Sequence, residues 1–216
     1  MEKHFLVFGA SGLIGAECHS TLQSHGTVLK GAREESGFQD QLLDIPQLDA
    51  VIWAQGINAS DSIADYEEGS LRETLDANVL FILRTAKLLL NSSKLRRGSQ
   101  LVVISSIWAQ YSRPEKLSYL TSKAATSAIV RSLAVDLGPL GIQVNAISPG
   151  PIDSPMTRKN LSTSQIDRIT SETPLKRLVS VEEITQIVVK FAIGEMSGIT
   201  GQDILVDAGW GVSKLV

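Results

Sequence analysis

Cysteine is almost absent from the sequence, since Cys18 is the only one in 216 residues. A single cysteine excludes an internal disulfide and is typical of a protein from a reducing compartment. No apolar run reaches the roughly 18 residues that a membrane-spanning helix requires. The net charge of -3 gives no basic excess, which argues against nucleic acid as the main partner. These absences predict a cytoplasmic protein that binds neither membrane nor nucleic acid.

The first residues have some features of an export signal, because an apolar run follows a lysine and leads to Cys18. However, Glu2 places a negative charge where such a signal is basic. Glu17 also stands just before Cys18, where a small residue is needed for cleavage. We therefore expect a cytoplasmic location.

Short apolar runs rich in β-branched residues alternate with helical patterns along the chain. Strands that are apolar on both faces are typical of a parallel sheet covered by helices. The alternation predicts an α/β fold, with a doubly wound, Rossmann-type parallel sheet of about seven strands in three αβα layers. We expect residues 1–216 to form one domain. The predicted strands are His4–Phe8, Thr27–Lys30, Gln41–Asp44, Ala50–Trp53, Leu101–Ser105, Ile142–Ile147 and Ile204–Asp207.

Start and stop signals bound three of the helices. Ser70–Glu73 matches a capping box and predicts a helix that continues to about Leu90. Ser180–Glu183 matches a second capping box. A third helix is predicted over Ser118–Leu137, where Gly138-Pro139 ends it.

A glycine-rich turn follows the first predicted strand and opens a helix. Such a turn lets the backbone approach a pyrophosphate, which lies at the positive end of the helix. A tight turn without a ligand is the alternative, but the position of the turn favours nucleotide binding. The predicted cofactor-binding residues here are Gly9, Ser11, Gly12, Leu13, Ile14 and Gly15.

The end of the second strand indicates which cofactor is bound. An acidic residue there holds the ribose 2′-hydroxyl of NAD(H), whereas an arginine accommodates the 2′-phosphate of NADP(H). Arg33 stands at this point and favours NADP(H). Glu34 and Glu35 follow it and leave NAD(H) possible, and Arg33 as a solvated loop charge is the alternative.

Tyr119 and Lys123 are spaced i and i+4, so they lie on one face of the third predicted helix. This pattern also arises by chance. Ser106 follows an apolar strand, at the edge where open α/β sheets bind ligands. Asn78 falls inside the apolar stripe of its helix, where a buried amide must find partners. A paired core asparagine is the alternative for Asn78.

Together these features resemble the short-chain dehydrogenase/reductase family over nearly the whole chain. The resemblance implies an NADP(H)-dependent oxidoreductase that interconverts a ketone and a secondary alcohol by hydride transfer. The matching segments are the glycine turn, Asn78, Ser106, Tyr119-x-x-x-Lys123, VNAISPGPIDSPM at 144–156 and GITGQDILVDAGW at 198–210.

The resemblance also implies catalytic roles for four residues. Tyr119 exchanges a proton with the substrate oxygen, because the Lys123 ammonium and an oxidised nicotinamide lower its pKa. Lys123 also holds the nicotinamide ribose, and Ser106 hydrogen-bonds the substrate oxygen. Asn78 positions a water that links Lys123 to solvent.

Further binding residues follow from the same resemblance. Residues 156–180 would form a flap over a small-molecule substrate, with no metal involved, in a homodimer or homotetramer. The cations of the flap could meet an anionic substrate, but a solvated lid is favoured. The alternative for Trp108, Tyr111 and Pro151 is that they only pack within their loops and do not contact a substrate. The implied cofactor contacts are Asp44, Ile45, Gln55, Gly56, Tyr119, Lys123, Pro149, Gly150, Ile152 and Ser154, and the implied substrate contacts are Ser106, Trp108, Tyr111 and Pro151.

The chain departs from the family in three places. Its G-x-x-G-x-x-G spacing is that of the extended branch, and Trp53-Ala-Gln55-Gly56 stands where the family has Asn-Asn-Ala-Gly. The segment between Arg33 and Asp49 is so short that we expect the helix after the third strand to be missing. Two other functions stay open: a sensor or regulatory protein that binds NADP(H) without turnover, and an enzyme that modifies nucleotide sugars.

Overall fold

The strands form one parallel sheet in the order β2-β1-β3-β4-β5-β6. The computed structural model describes residues 2–32, 35–42 and 44–214. Because all strands are parallel, their carboxyl ends lie along one edge of the sheet. The strands are β1 (His4–Phe8), β2 (Thr27–Lys30), β3 (Leu48–Trp53), β4 (Leu95–Ile104), β5 (Gln143–Pro149) and β6 (Asp203–Val206).

Helices cover both faces of the sheet, as the apolar runs predict. The π-helical segment Asp76–Leu80 lies between α3 and α4, so these elements form one continuous helix. The helices are α1 (Leu13–Leu22), α2 (Glu35–Gln41), α3 (Glu68–Leu75), α4 (Phe81–Asn91), α5 (Leu117–Leu137), α6 (Pro155–Asn160), α7 (Thr163–Glu172) and α8 (Val181–Ala192).

Two hydrophobic clusters show the three αβα layers. On one face, α2, α4 and α5 pack against the sheet, and on the other, α1 and α8 do. In the first cluster, three aromatic rings surround Phe8. Phe8 stacks on Trp53 with centroids 5.9 Å apart and meets Phe38 and Phe81 edge-on at 4.9 and 5.3 Å. The apolar runs of β1, β3, β4 and β5 are therefore buried on both faces, whereas the edge strands β2 and β6 are partly exposed.

The expected strand at Gln41–Asp44 does not form, and the described part of the sheet has six strands rather than about seven. Gln41 ends α2, and Leu42 and Asp44 lie in the turn after it. The connection from β2 to β3 leaves room for one short crossover helix but not for a strand as well. No helix follows Gln41–Asp44 before β3 among the described residues, and the one helix of this connection, α2, precedes that segment.

The helix signals were confirmed in two cases and wrong in one. Ser180 and Glu183 form the expected capping box at α8, and α5 begins one residue before its predicted start. Ser70, by contrast, lies inside α3, where its carbonyl accepts a hydrogen bond from the Thr74 hydroxyl. The helix begins at Glu68 instead. The prediction was wrong because a serine–glutamate spacing also occurs inside helices.

The described residues contain no helix that is both long and apolar enough to cross a membrane.

Candidate active site

The glycine-rich turn lies where the strand order reverses. The chain places β2 on one side of β1 and β3 on the other, and ligands of open α/β sheets bind in the crevice at such a point. Gly9 has φ +75°, and a Cβ there would lie 2.5 Å from the Gln55 nitrogen. A Cβ on Gly15 would lie 2.2 Å from the Gly9 oxygen. Only glycine therefore permits this turn, which brings α1 close to the carboxyl end of β3.

The amino end of α1 is available to an anion. Gly12 caps it without a side-chain hydrogen bond, so Leu13 and Ile14 begin a helix whose first N–H groups have no side-chain acceptor. Ser11 is exposed in the turn before it. A helix terminus of this kind suits a pyrophosphate. The residues present therefore fit a bound dinucleotide.

The cofactor residues expected after β5 follow its carboxyl end directly. A Cβ on Gly150 would lie 2.7 Å from the Asp207 Cβ, so the two backbone segments touch. Ile152 pairs with Val179 in an isolated parallel bridge. Ser154 caps α6 and accepts a hydrogen bond from the Thr157 nitrogen at 3.1 Å. Pro149 is the last residue of β5, so this group lies at the same edge of the sheet as the glycine turn.

Two of the expected adenine contacts do not join this group. The Ile45 carbonyl accepts a hydrogen bond from the Lys94 ammonium at 2.6 Å, and Leu48 pairs with Leu95. These contacts place Ile45, and Asp44 beside it, near the amino end of β3. The cofactor crevice lies at the carboxyl end, roughly 15–20 Å away along the strand. Arg33 lies outside the described residues.

Tyr119 and Ser106 form the centre of the site. Ser106 follows β4, and its hydroxyl accepts a hydrogen bond from the Trp108 nitrogen at 3.3 Å. Tyr119 is in the first turn of α5 and is half-buried. Burial raises its pKa, and the Ser106 hydroxyl acts in the opposite direction. In the protein without cofactor, desolvation raises the Tyr119 pKa, whereas the sequence predicts that Lys123 and the nicotinamide lower it.

Lys123 is buried one helical turn beyond Tyr119, with 5% of its surface exposed. Its ammonium lies 5.7 Å from the Tyr119 ring centroid and donates a hydrogen bond to the Ile104 carbonyl at 3.1 Å. Burial lowers the lysine pKa to about 8, and the Asp203 carboxylate opposes this shift. At neutral pH Lys123 is therefore mostly charged.

Asn78 lies in the π-helical segment, a local feature that is frequent at functional sites. Its amide nitrogen donates to the Ile57 carbonyl at 3.0 Å and to the Ser122 hydroxyl at 2.9 Å. Its oxygen accepts from the Ile57 nitrogen at 2.8 Å. A Cβ on Gly56 would lie 2.9 Å from that oxygen and 3.7 Å from the Lys123 ammonium nitrogen. Asn78 and Lys123 therefore border the same space beside Gly56.

The expected substrate residues belong to an aromatic group that includes one residue without a predicted role. Trp108 and Tyr111 meet Trp210 edge-on, with centroids 5.6 and 5.8 Å apart. Arg113 lies over Trp108 at 5.7 Å. Pro151 follows the cofactor residues of the β5 edge. Trp210, the last residue of the VDAGW segment, thus joins this group. Its position at the end of a family motif is the sequence signal that could have identified it.

Asp61 was missed because nothing in the local sequence marks it. Its carboxylate accepts hydrogen bonds from the Ser118 nitrogen at 2.9 Å and from the Ser118 hydroxyl. Its carbonyl accepts from the Leu117 nitrogen at 3.1 Å. Lys116, the residue before Leu117, donates hydrogen bonds from its ammonium to Asn58, Ala59 and Ser60. The loop after β3 therefore holds the first turn of α5, the turn that carries Tyr119.

The expected flap is tied at its base. The Asp153 nitrogen donates to the Val179 carbonyl at 2.8 Å, and the Val179 nitrogen donates to the Pro151 carbonyl at 3.2 Å. Between these ties, α7 buries none of its residues. Arg158 pairs with Asp153 and Arg177 with Glu183, each through two hydrogen bonds. These arginines are already paired, which favours a solvated lid over an anion site.

A family model described as enoyl-(acyl carrier protein) reductase matches residues 23–211. The uncharacterized oxidoreductase YmfI of Bacillus subtilis is 25% identical over 241 residues, covering 97% of this chain and 99% of that protein. The 3-oxoacyl-(acyl-carrier-protein) reductase FabG of Thermotoga maritima is 28% identical over 163 residues, covering 76% of this chain and 66% of that protein. The cyclopentanol dehydrogenase of Comamonas testosteroni is 28% identical over 177 residues, covering 81% of this chain and 71% of that protein.

Solved structures share the fold over nearly the whole chain. A short chain dehydrogenase family protein from Francisella tularensis superposes with a TM-score of 0.86 at 24% identity, covering 98% of this chain and 100% of that one. An actinorhodin polyketide ketoreductase with NADPH gives a TM-score of 0.84 at 21% identity, covering 97% of each chain. At these identities the similarity concerns the fold alone.

Proposed function

The chain belongs to the short-chain dehydrogenase/reductase family and is an NAD(P)-dependent oxidoreductase, and we propose that it interconverts a ketone and a secondary alcohol with NADP(H). Tyr119 is the general acid and base of this reaction. One observation carries the proposal: Ser106, Tyr119 and the Lys123 ammonium meet at the carboxyl end of β4, beside the cofactor crevice. A protein that only binds the cofactor has no evident use for these three groups together.

Held by the glycine turn and Lys123, a nicotinamide cofactor would supply hydride to the carbonyl carbon in reduction and take it back in oxidation. In reduction, the Tyr119 hydroxyl donates its proton to the carbonyl oxygen, and the Ser106 hydroxyl donates a hydrogen bond to the same oxygen. In oxidation, the Tyr119 phenolate removes the proton of the alcohol. The Lys123 ammonium favours that phenolate because opposite charges attract.

A water beside Gly56 would connect the catalytic lysine to Asn78. Both Asn78 amide hydrogens are used by Ile57 and Ser122, but its oxygen retains a second acceptor position. A water in this space would accept a hydrogen bond from Lys123 and donate one to Asn78. This arrangement supports a route by which Tyr119 regains its proton through Lys123.

The balance of pKa values gives the two directions different pH dependence. Burial raises the pKa of Tyr119, which keeps it protonated at neutral pH, as the acid of the reduction must be. Oxidation needs the phenolate, so its rate should rise with pH. Lys123, with a pKa of about 8, loses its charge over the same interval, which limits the rise.

The preference for NADP(H) rests on Arg33, which follows β2 in the sequence. The actinorhodin polyketide ketoreductase, which has the same fold, was solved with NADPH. The proposed cofactor contacts at the crevice are Gly9, Ser11, Gly12, Leu13, Ile14, Gly15, Gln55 and Gly56, with Tyr119, Lys123, Pro149, Gly150, Ile152 and Ser154 on the nicotinamide side.

The proposed substrate is a small carbonyl compound held beneath a flap of residues 156–180. Trp108, Tyr111 and Trp210 would form an aromatic wall beside Ser106. The named activities of the relatives, on acyl-carrier-protein thioesters and on cyclopentanol, suggest 3-oxoacyl thioesters and cyclic ketones as first probes.

A homodimer or homotetramer is proposed through the outer faces of α4 and α5. Leu90 and Val135 are exposed there, at 37% and 75%, although both are apolar. Homodimer interfaces bury apolar side chains at their centre, a role these two residues would have.

The proposed function is tested by following NADPH consumption with a panel of ketones and 3-oxoacyl thioester analogues. Ser106→Ala should lower kcat/KM for every active compound while the Kd for NADPH stays within about twofold, since Ser106 is assigned to the substrate oxygen. Tight NADPH binding without turnover of any compound would favour the sensor function instead.

A further inference from the structure

Two polar side chains at the carboxyl edge of the sheet lack hydrogen-bond partners among the described residues. They are Gln55, whose amide oxygen and nitrogen are both buried, and Ser105, whose hydroxyl is buried. Buried polar groups in native proteins are nearly always paired, so each exception requires an explanation. Leaving them unpaired destabilises the free protein.

These two side chains lie side by side. The strand register pairs Trp53 with Val103. Continuing it by two residues sets Gln55 opposite Ser105. The hydrogen-bond ladder does extend past the strand ends, since the Ala54 nitrogen donates to the Phe8 carbonyl at 3.0 Å and the Ser105 nitrogen to the Ile147 carbonyl at 2.8 Å.

The alternation of side chains identifies the face on which they lie. Residues two apart in a strand share a face, and Trp53 and Val103 pack in the cluster beneath α4 and α5. Gln55 and Ser105 are therefore on the α5 side, the side from which the Lys123 ammonium reaches the Ile104 carbonyl. The unpaired groups occupy the stretch between the glycine turn and the catalytic lysine.

The contacts of the glycines border the same stretch. The backbone of Gln55 lies so close to Gly9 that a Cβ there would approach within 2.5 Å. Gly56, next in the chain, faces both Asn78 and Lys123. A dinucleotide that runs from the glycine turn to Lys123 must pass over Gln55 and Ser105.

We propose that Gln55 and Ser105 hydrogen-bond the ribose hydroxyls of the nicotinamide half of the cofactor, an inference that rests on the proposed function. An amide offers donors and an acceptor, and a serine hydroxyl offers both on one atom. This neutral set matches neighbouring hydroxyl groups. It does not match a phosphate, which is better bound by charged or backbone donors.

The test compares ligand affinity and stability in two pairs of variants. Gln55→Leu and Ser105→Ala remove the unpaired groups. Gln100→Leu and Ser99→Ala are matched controls in the middle of β4, because Gln100 donates to Gly98 and Gln143, and Ser99 donates to Leu48. Each full-length variant is titrated with NADPH and with 2′,5′-ADP, which contains only the adenosine half, and the Tm of the free protein is measured.

We expect Gln55→Leu and Ser105→Ala each to raise the Kd for NADPH by about 2- to 13-fold, the range for one neutral hydrogen bond. The Kd for 2′,5′-ADP should stay the same, and the Tm of the free protein should stay equal or rise. The controls should show the reverse, a lower Tm with unchanged NADPH affinity.

Three results would overturn the inference. Wild-type affinity for NADPH in both test variants would mean that the groups do not touch the cofactor. An equal loss for 2′,5′-ADP would place them against the adenosine half. A fall in Tm like that of the controls, with unchanged NADPH affinity, would show a structural role. Failure of the wild-type protein to bind NADPH or NADH would instead refute the proposed function, before any variant is compared.

Discussion

The two ends of the cofactor crevice are built differently. At the end proposed for the nicotinamide, Asn78 is bonded to the Ile57 loop and, through Ser122, to the α5 helix that carries Tyr119 and Lys123, and the Ser106 hydroxyl is bonded to Tyr119. At the end proposed for the adenosine, β2 is the edge strand among the described residues, and α2 lies in the connection to β3. The proposed catalytic residues therefore have several supporting contacts, whereas the proposed adenosine site consists of the glycine turn and Arg33, which lies outside the described residues.

This difference reflects the separate requirements of proton transfer and of cofactor affinity. Proton transfer needs groups held at fixed distances, so each catalytic side chain has a supporting partner. Adenosine contributes binding energy only, and a shortened site lowers affinity without altering the reacting atoms. We therefore expect changes at the nicotinamide end to act on kcat and changes at the adenosine end to act on Kd.

Tyr119→Phe should give the largest effect. Loss of the general acid should lower kcat by about 10²- to 10⁴-fold in both directions, whereas the Kd for NADPH and the Tm should change little. Steady-state kinetics with the best ketone, beside a cofactor titration, provide the measurement. A variant that retained more than a tenth of wild-type kcat would remove Tyr119 from its assigned role.

Asn78→Ala tests whether the π-helical segment supports the site. The change removes the hydrogen-bond partner of the Ile57 N–H and carbonyl, at about 1–3 kcal/mol for a buried group, whereas the Ser122 hydroxyl keeps its bond to the Tyr119 carbonyl. For a chain of this length that is about 2–4 °C of Tm per kcal/mol. Thermal unfolding measures the loss. Ser122→Ala, which removes one of these bonds, is the matched control and should lose less.

Lys123→Met separates stability from activity. Its pKa of about 8 lies below the unfolded value near 10.4, so the buried ammonium destabilises the fold below about pH 8. Between the two pKa values, Lys123 is protonated in the unfolded chain but largely neutral in the folded one. The cost of burying the charge therefore decreases as the pH rises over this interval. Lys123→Met should thus be inactive yet raise the Tm at pH 7, by about 2–4 °C for each kcal/mol that the buried charge costs.

Unfolding scans of both proteins from pH 6 to about pH 10 measure this difference, which should shrink above pH 8. A Tm lower than that of the wild type at pH 7 would mean that the lysine contact with Ile104 outweighs the cost of burying the charge.

Arg33→Ala should give the smallest effect. An exposed charge pair is worth about 0.2–1 kcal/mol, so the Kd for NADPH should rise by about 1.4- to 5-fold, and the Kd for NADH should stay the same. Parallel titrations measure both. Equal changes for the two cofactors would show that Arg33 does not contact a 2′-phosphate.

The parts of the fold that apolar runs determine were predictable. Five of the strands and the α5 helix begin and end close to their predicted residues, because burial on both faces leaves a clear pattern. The expected strand at Gln41–Asp44 was wrong because an apolar run this short fits a turn or a strand. Phe38, Leu42 and Ile45 are buried from a helix and the turn after it.

The supporting contacts of the site were not predictable from the sequence. The π-helical segment around Asn78 depends on contacts with the Ile57 loop, which is distant in sequence. Asp61 holds the start of α5 from another loop, and Asp203 acts on Lys123 from β6. Only the fold brings these residues together. The family resemblance supplies the proposed reacting groups, and the structure adds the residues around them.

The most direct test of the account follows deuterium from reduced cofactor labelled at the nicotinamide C4 into a ketone, with wild-type protein and Tyr119→Phe. We expect labelled secondary alcohol from the wild type and a yield at least about 100-fold lower from the variant, at equal NADPH occupancy. Equal labelling by both proteins, or NADPH binding without any transfer, would contradict it.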